Sequence, residues 1–198
     1  MINIVYVHGF MSAGRGGKYE ALRRRYREGF NIFSPSFSDS ISEAKKELND
    51  YMKKDEMNTE GIICLIGTSL GGFYARYLAS VYKLRAILIN PVLNPSTHMK
   101  KYIGMKLTNF KTEKEFIFTQ RDVNALESME IEIGKSLDED SVYLPVLADH
   151  DDVIDKSIVK KKFDNVLYID DDHQFNTAFE PFIRREDVRN FITETYGL

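Results

Sequence analysis

The chain has 198 residues, 43% of them hydrophobic and 29% charged, with 27 basic and 30 acidic side chains for a formal charge of −3. That length suits one domain (1–198) with a full core, the composition excludes a disordered or fibrous chain, and the charge balance gives no whole-protein pull toward nucleic acid or an anionic membrane. Cys64 is the single cysteine, which excludes an internal disulfide and suits a reducing compartment; with no apolar run of membrane-span length and a start that reads as strand rather than signal peptide, the expected location is the cytoplasm.

Ile2 to Val7 forms the first expected strand, closed by His8-Gly9-Phe10. A loop from Met11 to Gly17 leads into a helix over about Lys18 to Glu28, whose Arg23, Arg24, Arg25 and Arg27 make a solvated basic face. Asn31 to Ser34 is a short second strand. Ser40-Ile41-Ser42-Glu43 reads as a capping box, opening a helix with Ile41, Ala44, Leu48, Tyr51 and Met52 inward.

Ile62 to Ile66 is an unbroken apolar run of the kind a strand buried on both faces needs. Gly67-Thr68-Ser69-Leu70-Gly71-Gly72 follows and fits G-x-S-x-G. Leu70, Phe73, Tyr74, Tyr77, Leu78 and Val81 then recur at helical spacing. A sharp turn from strand to helix strains its central residue and projects the Ser69 hydroxyl clear of the sheet edge. Gly67 and Gly71 flank it because a Cβ there would keep the helix from closing on the strand.

Further along, Ala86 to Asn90 is a strand closed by Pro91, and Asn94 to Lys111 fits no single element. Phe116 to Phe118 is a strand, Val123 to Ile133 a helix, Val142 to Ala148 a strand, Lys156 to Lys162 a helix and Val166 to Ile169 the last strand. A terminal helix is expected from near Pro181 to Tyr196, burying Val188, Phe191 and Ile192 and ending at Gly197. Alternating strands and helices argue an α/β fold: a mostly parallel sheet with helices on both faces and its chemistry beyond the carboxyl ends of the strands.

A serine hydroxyl needs a base to become nucleophilic. Of the four histidines, His173 follows the last strand and stands in the chain order serine, acid, histidine that an elbow serine uses. His8 reads as structural, His98 as exposed, and His150 adjoins the acid loop without facing an obvious proton. A carboxylate must hold the imidazole tautomer. The loop after Val142 to Ala148 offers Asp151 at its tip, while Asp122, after Phe116 to Phe118, is the competing position. The oxyanion donors expected are the backbone N–H groups of Leu70 and Phe10.

His8-Gly9-Phe10, the elbow, Asn90-Pro91, Gly104 after Tyr102-Ile103, Asp151-Asp152-Val153-Ile154-Asp155 and His173-Gln174-Phe175 occur in that order. Together they resemble the small bacterial YqiA/YcfP-like esterases of the α/β-hydrolase superfamily, along essentially the whole chain. The resemblance implies a compact α/β-hydrolase fold, activity on acyl esters or thioesters, and a triad of Ser69, Asp151 and His173. The position of Asp122 is not an acid in the family pattern.

About two dozen residues separate Asn90 from Phe116, room for a small, mostly open cap. Met99, Tyr102 and Ile103, with Met105 and Leu107, are candidates for an acyl-pocket wall, although the same residues suit the buried side of a covering helix. Arg15, Lys100, Lys101 and Lys106 near the mouth would favour an anionic leaving group such as coenzyme A. The aspartates and histidines of 149–152 and 170–173 lack the ligand spacing of a metal hydrolase, so no metal or other cofactor is expected. The expected partner is a small-molecule acyl ester or thioester. The alternatives are a binding protein that kept the fold without the chemistry and, less favoured, a metal-dependent hydrolase.

Overall fold

Parallel strands that are apolar on both faces need a helical layer on each side. In the computed structural model, which describes residues 1–54, 57, 63–135 and 142–194, the chain supplies both layers. Along it run β1 (Ile2–Val7), α1 (Gly17–Arg25), β2 (Phe30–Phe33), α2 (Ile41–Met52), β3 (Ile63–Thr68) and α3 (Leu70–Tyr82). There follow β4 (Arg85–Ile89), α4 (Pro95–Met99), a 3-10 turn at Lys100–Tyr102, β5 (Lys106–Thr108), β6 (Glu115–Ile117) and α5 (Gln120–Lys135). The last elements are β7 (Tyr143–Ala148), α6 (Lys156–Lys162), β8 (Leu167–Ile169), α7 (Phe179–Ile183) and α8 (Glu186–Thr193). Ile62, Tyr196 and Gly197, which the sequence reading included in elements, lie outside the described residues.

One six-stranded sheet has the order β2-β1-β3-β4-β7-β8, and every pairing in it is parallel. Strand periodicity divides its side chains between two cores. Val5, Val7, Leu65, Ala86 and Leu88 pack under α2, α3 and α5, while Ile4, Tyr6, Cys64, Ile66, Ile87 and Ile89 pack under α1, α7 and α8. Cys64 is a fully buried free thiol, its pKa pushed up to about 12 by burial. It is a small hydrophobe beneath the elbow.

Three expectations need correction. Phe116 to Phe118 does not join the main sheet: β6 pairs antiparallel with β5 in a separate ribbon, Leu107 opposite Phe116. Alternate burial explains it, because Ile117 faces solvent while Phe116 is half-buried, the pattern of a one-sided ribbon rather than a central strand. The terminal helix is divided at Arg184 and Arg185, where Arg185 turns extended (ψ 144°) to precede α8 and pairs with Asp187.

Nor does Ser40 cap α2 through its side chain. Its hydroxyl donates to Asp122 Oδ1 at 2.9 Å, and Glu43 accepts instead from the Ser38 hydroxyl. Asp122 Oδ1 also accepts Ser42 N at 3.4 Å, so Asp122 takes the first-turn N–H that the Ser40 hydroxyl would have capped. The result ties α2 to the start of α5.

Close approach of α3 to the sheet depends on Gly71, where a Cβ would collide with the carbonyls of Val7 and His8 in β1 and the residue after it. Backbone cannot give way there as a flexible side chain would. Gly71→Ala is expected to cost more than about 4 kcal/mol of stability, measured by urea unfolding; a variant that melts with the wild type would contradict this packing.

Candidate active site

Ser69 stands between β3 and α3 with φ 58° and ψ −123°, a strained conformation for a residue with a side chain. The fold holds it there by main-chain bonds. Its N–H donates to the Ile89 carbonyl at 2.9 Å, and its own carbonyl accepts from Gly72 N at 2.9 Å. The loop after β1 lies against the elbow, since a Cβ at Gly9 would stand 3.7 Å from the Ser69 Cβ.

Three segments far apart in the chain meet over this edge. His173 Nε2 is 3.1 Å from Ser69 Oγ, and His173 Nδ1 is 2.8 Å from Asp151 Oδ2. Asp151 is buried, and its other oxygen accepts the N–H groups of Val153 (2.8 Å) and Ile154 (3.0 Å). Burial alone would raise its carboxyl, but the bonds from His173 and from the two N–H groups outweigh that and hold it below the usual carboxylate value. An ionised Asp151 is an acceptor only, so it selects the tautomer with the proton on Nδ1 and leaves the Nε2 lone pair facing the Ser69 hydroxyl.

Leu70 and Phe10, whose N–H groups are the expected oxyanion donors, both border the cavity at Ser69. Leu70 opens α3, where a first-turn N–H has no intrahelical acceptor. Phe10 lines one cavity with Ser69, Leu70 and His173. The peptide joining Gly9 to Phe10 is fixed from its carbonyl end, which accepts a bond from His8 Nδ1 at 3.0 Å. His8 is buried and stacked on Phe37 at 3.9 Å between ring centroids. Burial pushes its pKa down to about 4, keeping it neutral; the Gly9 bond opposes this only in part.

Asp122 lies elsewhere. It is buried at the start of α5, accepting from Thr119 N (2.8 Å), the Thr119 hydroxyl (2.7 Å) and the Ser40 hydroxyl (2.9 Å). Those bonds, set against burial, hold its carboxyl below the usual range. It is a structural clamp between α2 and α5. His98 is exposed at the cavity rim, and His150 pairs with Asp170 at 3.0 Å on the surface.

The cavity above Ser69 measures about 390 Å³. Met99 and Tyr102 line it; Ile103 does not, because the chain leaves the 3-10 turn there and Ile103 is 41% exposed. Met105 and Leu107 also lie off the wall. The apolar wall is completed instead by Leu93 and by Ile154, Ile158 and Val159 from α6 and the loop before it. Of the expected cations only Lys101 lines the cavity. Lys100 pairs with Glu127 and Lys106 with Glu115, and exposed Arg15 is outside it.

Lys18 was not anticipated. It reaches the cavity from α1 and donates to the Gln174 carbonyl (2.7 Å) and to Asn176 Oδ1 (2.9 Å), bracing the loop that carries His173. Burial pushes its pKa down to about 8 against the pull of Asp171 and Asp172. Its solvated-looking helix and its distance in sequence from that loop gave no signal.

The aspartates around the site serve the backbone. Asp171 accepts from Ala178 N, and Asp172 from Gln174 N and Phe175 N. Among the described residues no three His, Cys, Asp or Glu side chains converge as a metal-holding group, and no helix is long and apolar enough to cross a membrane.

Residues 3–187 match the model of an uncharacterised protein family, UPF0227. A UPF0227 protein of Shewanella woodyi is 25% identical over 158 residues, 79% of each chain. Est1E from Butyrivibrio proteoclasticus superposes with a TM-score of 0.68 at 17% identity, over 96% of this chain and 86% of that one. Alpha/beta hydrolase domain-containing protein 10 from mouse gives 0.63 at 15%, over 91% and 86%. The chain has the α/β-hydrolase fold.

Two measurements follow from the buried ionisable groups. As pH falls from 6.5 toward 4, the unfolded chain takes up a proton at His8 that the folded chain refuses. Stability is therefore lost across that window, by about 3 kcal/mol from this group. Urea midpoints of wild type and His8→Gln should diverge in pH slope there; equal slopes would contradict a buried neutral imidazole. Asp122→Ala should lower stability by about 2–4 kcal/mol, measured by urea unfolding; a variant as stable as the wild type would contradict the clamp between α2 and α5.

Proposed function

This chain belongs to the uncharacterised protein family UPF0227, and on that footing we propose that it is a serine hydrolase, a single catalytic domain cleaving carboxylic esters or thioesters of small acyl groups. The observation that carries the reading is the relay of 3.1 Å and 2.8 Å from Ser69 through His173 to Asp151. The α/β-hydrolase fold agrees with it. The buried free thiol of Cys64 fits a reducing compartment such as the cytoplasm.

In the proposed reaction, His173 Nε2 takes the Ser69 proton as Oγ attacks the acyl carbon. Asp151 stabilises the imidazolium by holding Nδ1–H. The carbonyl oxygen, now an anion, receives the N–H groups of Phe10 and Leu70, each donor worth about 3–4 kcal/mol of barrier. Collapse expels the alcohol or thiol, which takes its proton from His173 Nε2, and leaves an acyl-Ser69. Water then repeats the sequence and frees the acid. Leu93, Met99, Ile154 and Ile158 form an apolar wall for the acyl group, and Tyr102 stands on the cap side. A cavity of about 390 Å³ favours small substrates over long peptides.

A fluorophosphonate probe and a series of p-nitrophenyl esters test this. Wild type should take the label and hydrolyse short-chain esters. Ser69→Ala should lose the label and fall about 10⁶-fold in kcat, and Asp151→Asn about 10⁴-fold. An unlabelled wild type without esterase activity would point to a binding protein on this fold.

A further inference from the structure

Two of the segments that meet at the site, those that carry Asp151 and His173, also meet at one buried side chain that does not touch Ser69. Asn90 follows β4 directly and is fully buried. Its backbone N–H donates to Val146 O in β7 at 2.8 Å, and the preceding residue, Ile89, supplies the carbonyl that holds Ser69 N. Its Oδ1 accepts the N–H of Ala148, the last residue of β7, at 2.7 Å. The Asp151 turn starts there, with Asp151 N bonded to Ala148 O. Its Nδ2 donates to the carbonyls of Asp172 (3.3 Å) and His173 (3.1 Å).

We infer that Asn90 is a positioning residue: one amide sets the His173 segment against the end of the strand that carries Asp151, from a backbone position that also fixes Ser69. The inference rests on the hydrolase reading above. The residue type follows from the chemistry. The site asks for one acceptor toward an N–H and a donor toward two carbonyls, on a short planar group, and a primary amide supplies both. Aspartate has no donor when ionised, and serine is too short to span the gap. The backbone adds a second constraint, since Asn90 has φ 44°, a region that asparagine tolerates better than most residues.

The His173 segment is held at neighbouring points too. Lys18 Nζ donates to the Gln174 carbonyl, and Phe175, at φ 52°, is fully buried. Main-chain bonds also join the two sides, Asp149 N to Ile169 O at 2.8 Å and His150 N to Asp171 O at 3.0 Å. Asn90 adds to them a single amide bonded both to the last residue of β7 and to the carbonyl of His173 itself. Its loss should displace His173 relative to both its partners.

Asn90→Asp and Asn90→Gly separate the possibilities. Aspartate keeps shape and acceptor but turns an oxygen toward two carbonyls; glycine accepts the positive φ and removes the amide. Kinetics on a p-nitrophenyl ester should show kcat reduced about 100-fold in either variant with KM little changed, the unfolding midpoint remaining in the folded range. The ratio of Asn90→Asp to wild-type kcat should rise as pH falls, because a protonated carboxyl regains a donor, while the Asn90→Gly ratio stays flat.

Folded variants with wild-type kcat would overturn the inference. So would variants that lose fold and activity together, since Asn90 would then hold the fold and not the site. A wild type without activity or probe labelling would sink the hydrolase reading instead. In that case the proton resonance of the His173 Nδ1–H bond to Asp151 still decides: present in wild type and lost in Asn90→Asp supports positioning, and retained in both contradicts it.

Discussion

Everything at the site hangs on a turn with no room for a side chain on its inner side. Gly67 backs onto the carbonyl of Gly71, and Gly71 sits on the backbone of Val7 and His8. The first contact closes α3 onto β3; the second presses α3 against the end of β1. Ser69 is forced to φ 58° by the first and brought beside the Gly9-Phe10 peptide by the second. The proposed nucleophile and the donor proposed for its oxyanion thus depend on two backbone contacts. The strain of such a conformation is about 1–3 kcal/mol, small against the burial of α3, whose Leu70, Phe73, Tyr74 and Leu78 are all in the core.

Two buried groups near this turn, His8 and Asp151, and a third at the start of α5, Asp122, are each held in one charge state. His8 is neutral because burial outweighs its one bond. Asp151 and Asp122 are ionised because their hydrogen bonds outweigh burial. The two carboxylates illustrate how environment and not residue type sets a role: one faces an imidazole, the other hydroxyls and N–H groups at a helix start. The cap is joined to the same machinery. Asn109 donates to Ser12 O and Asp39 Oδ1, Phe110 N bonds to Met11 O, and the Phe10 ring meets Tyr102, Phe116 and Phe118 at about 6 Å. The loop that presents Phe10 N–H is therefore wedged between the cap and the sheet.

The parts legible in the sequence were those with a local signature. The elbow is six consecutive residues between an apolar strand and an amphipathic helix, and His173 and Asp151 follow strands in an order that topology dictates. What was not legible depends on contacts between distant segments. The ribbon of β5 and β6 closes through a turn that Asn109 organises, its Oδ1 accepting from Lys111 N and Thr112 N, so a strand read in isolation was not assigned its partner. Lys18 and the Gln174 carbonyl it holds are 156 residues apart. The neighbourhood of Ser40 fits a cap, but a buried carboxylate from α5, distant in sequence, accepts both its hydroxyl and the Ser42 N–H. Apolarity groups Ile103 with Met99 and Tyr102, but one change of backbone direction takes it off the cavity wall.

The central claim is that one hydroxyl, made reactive by one imidazole, attacks toward a pair of waiting N–H groups. A crystal structure of the protein inactivated by an organophosphate tests it most directly. The account predicts phosphorus bonded to Ser69 Oγ, with its free oxygen about 2.7–3.1 Å from the N–H groups of Phe10 and Leu70 and His173 Nε2 facing the leaving-group side. Phosphorus on another residue, or an oxygen turned away from both N–H groups, would contradict it.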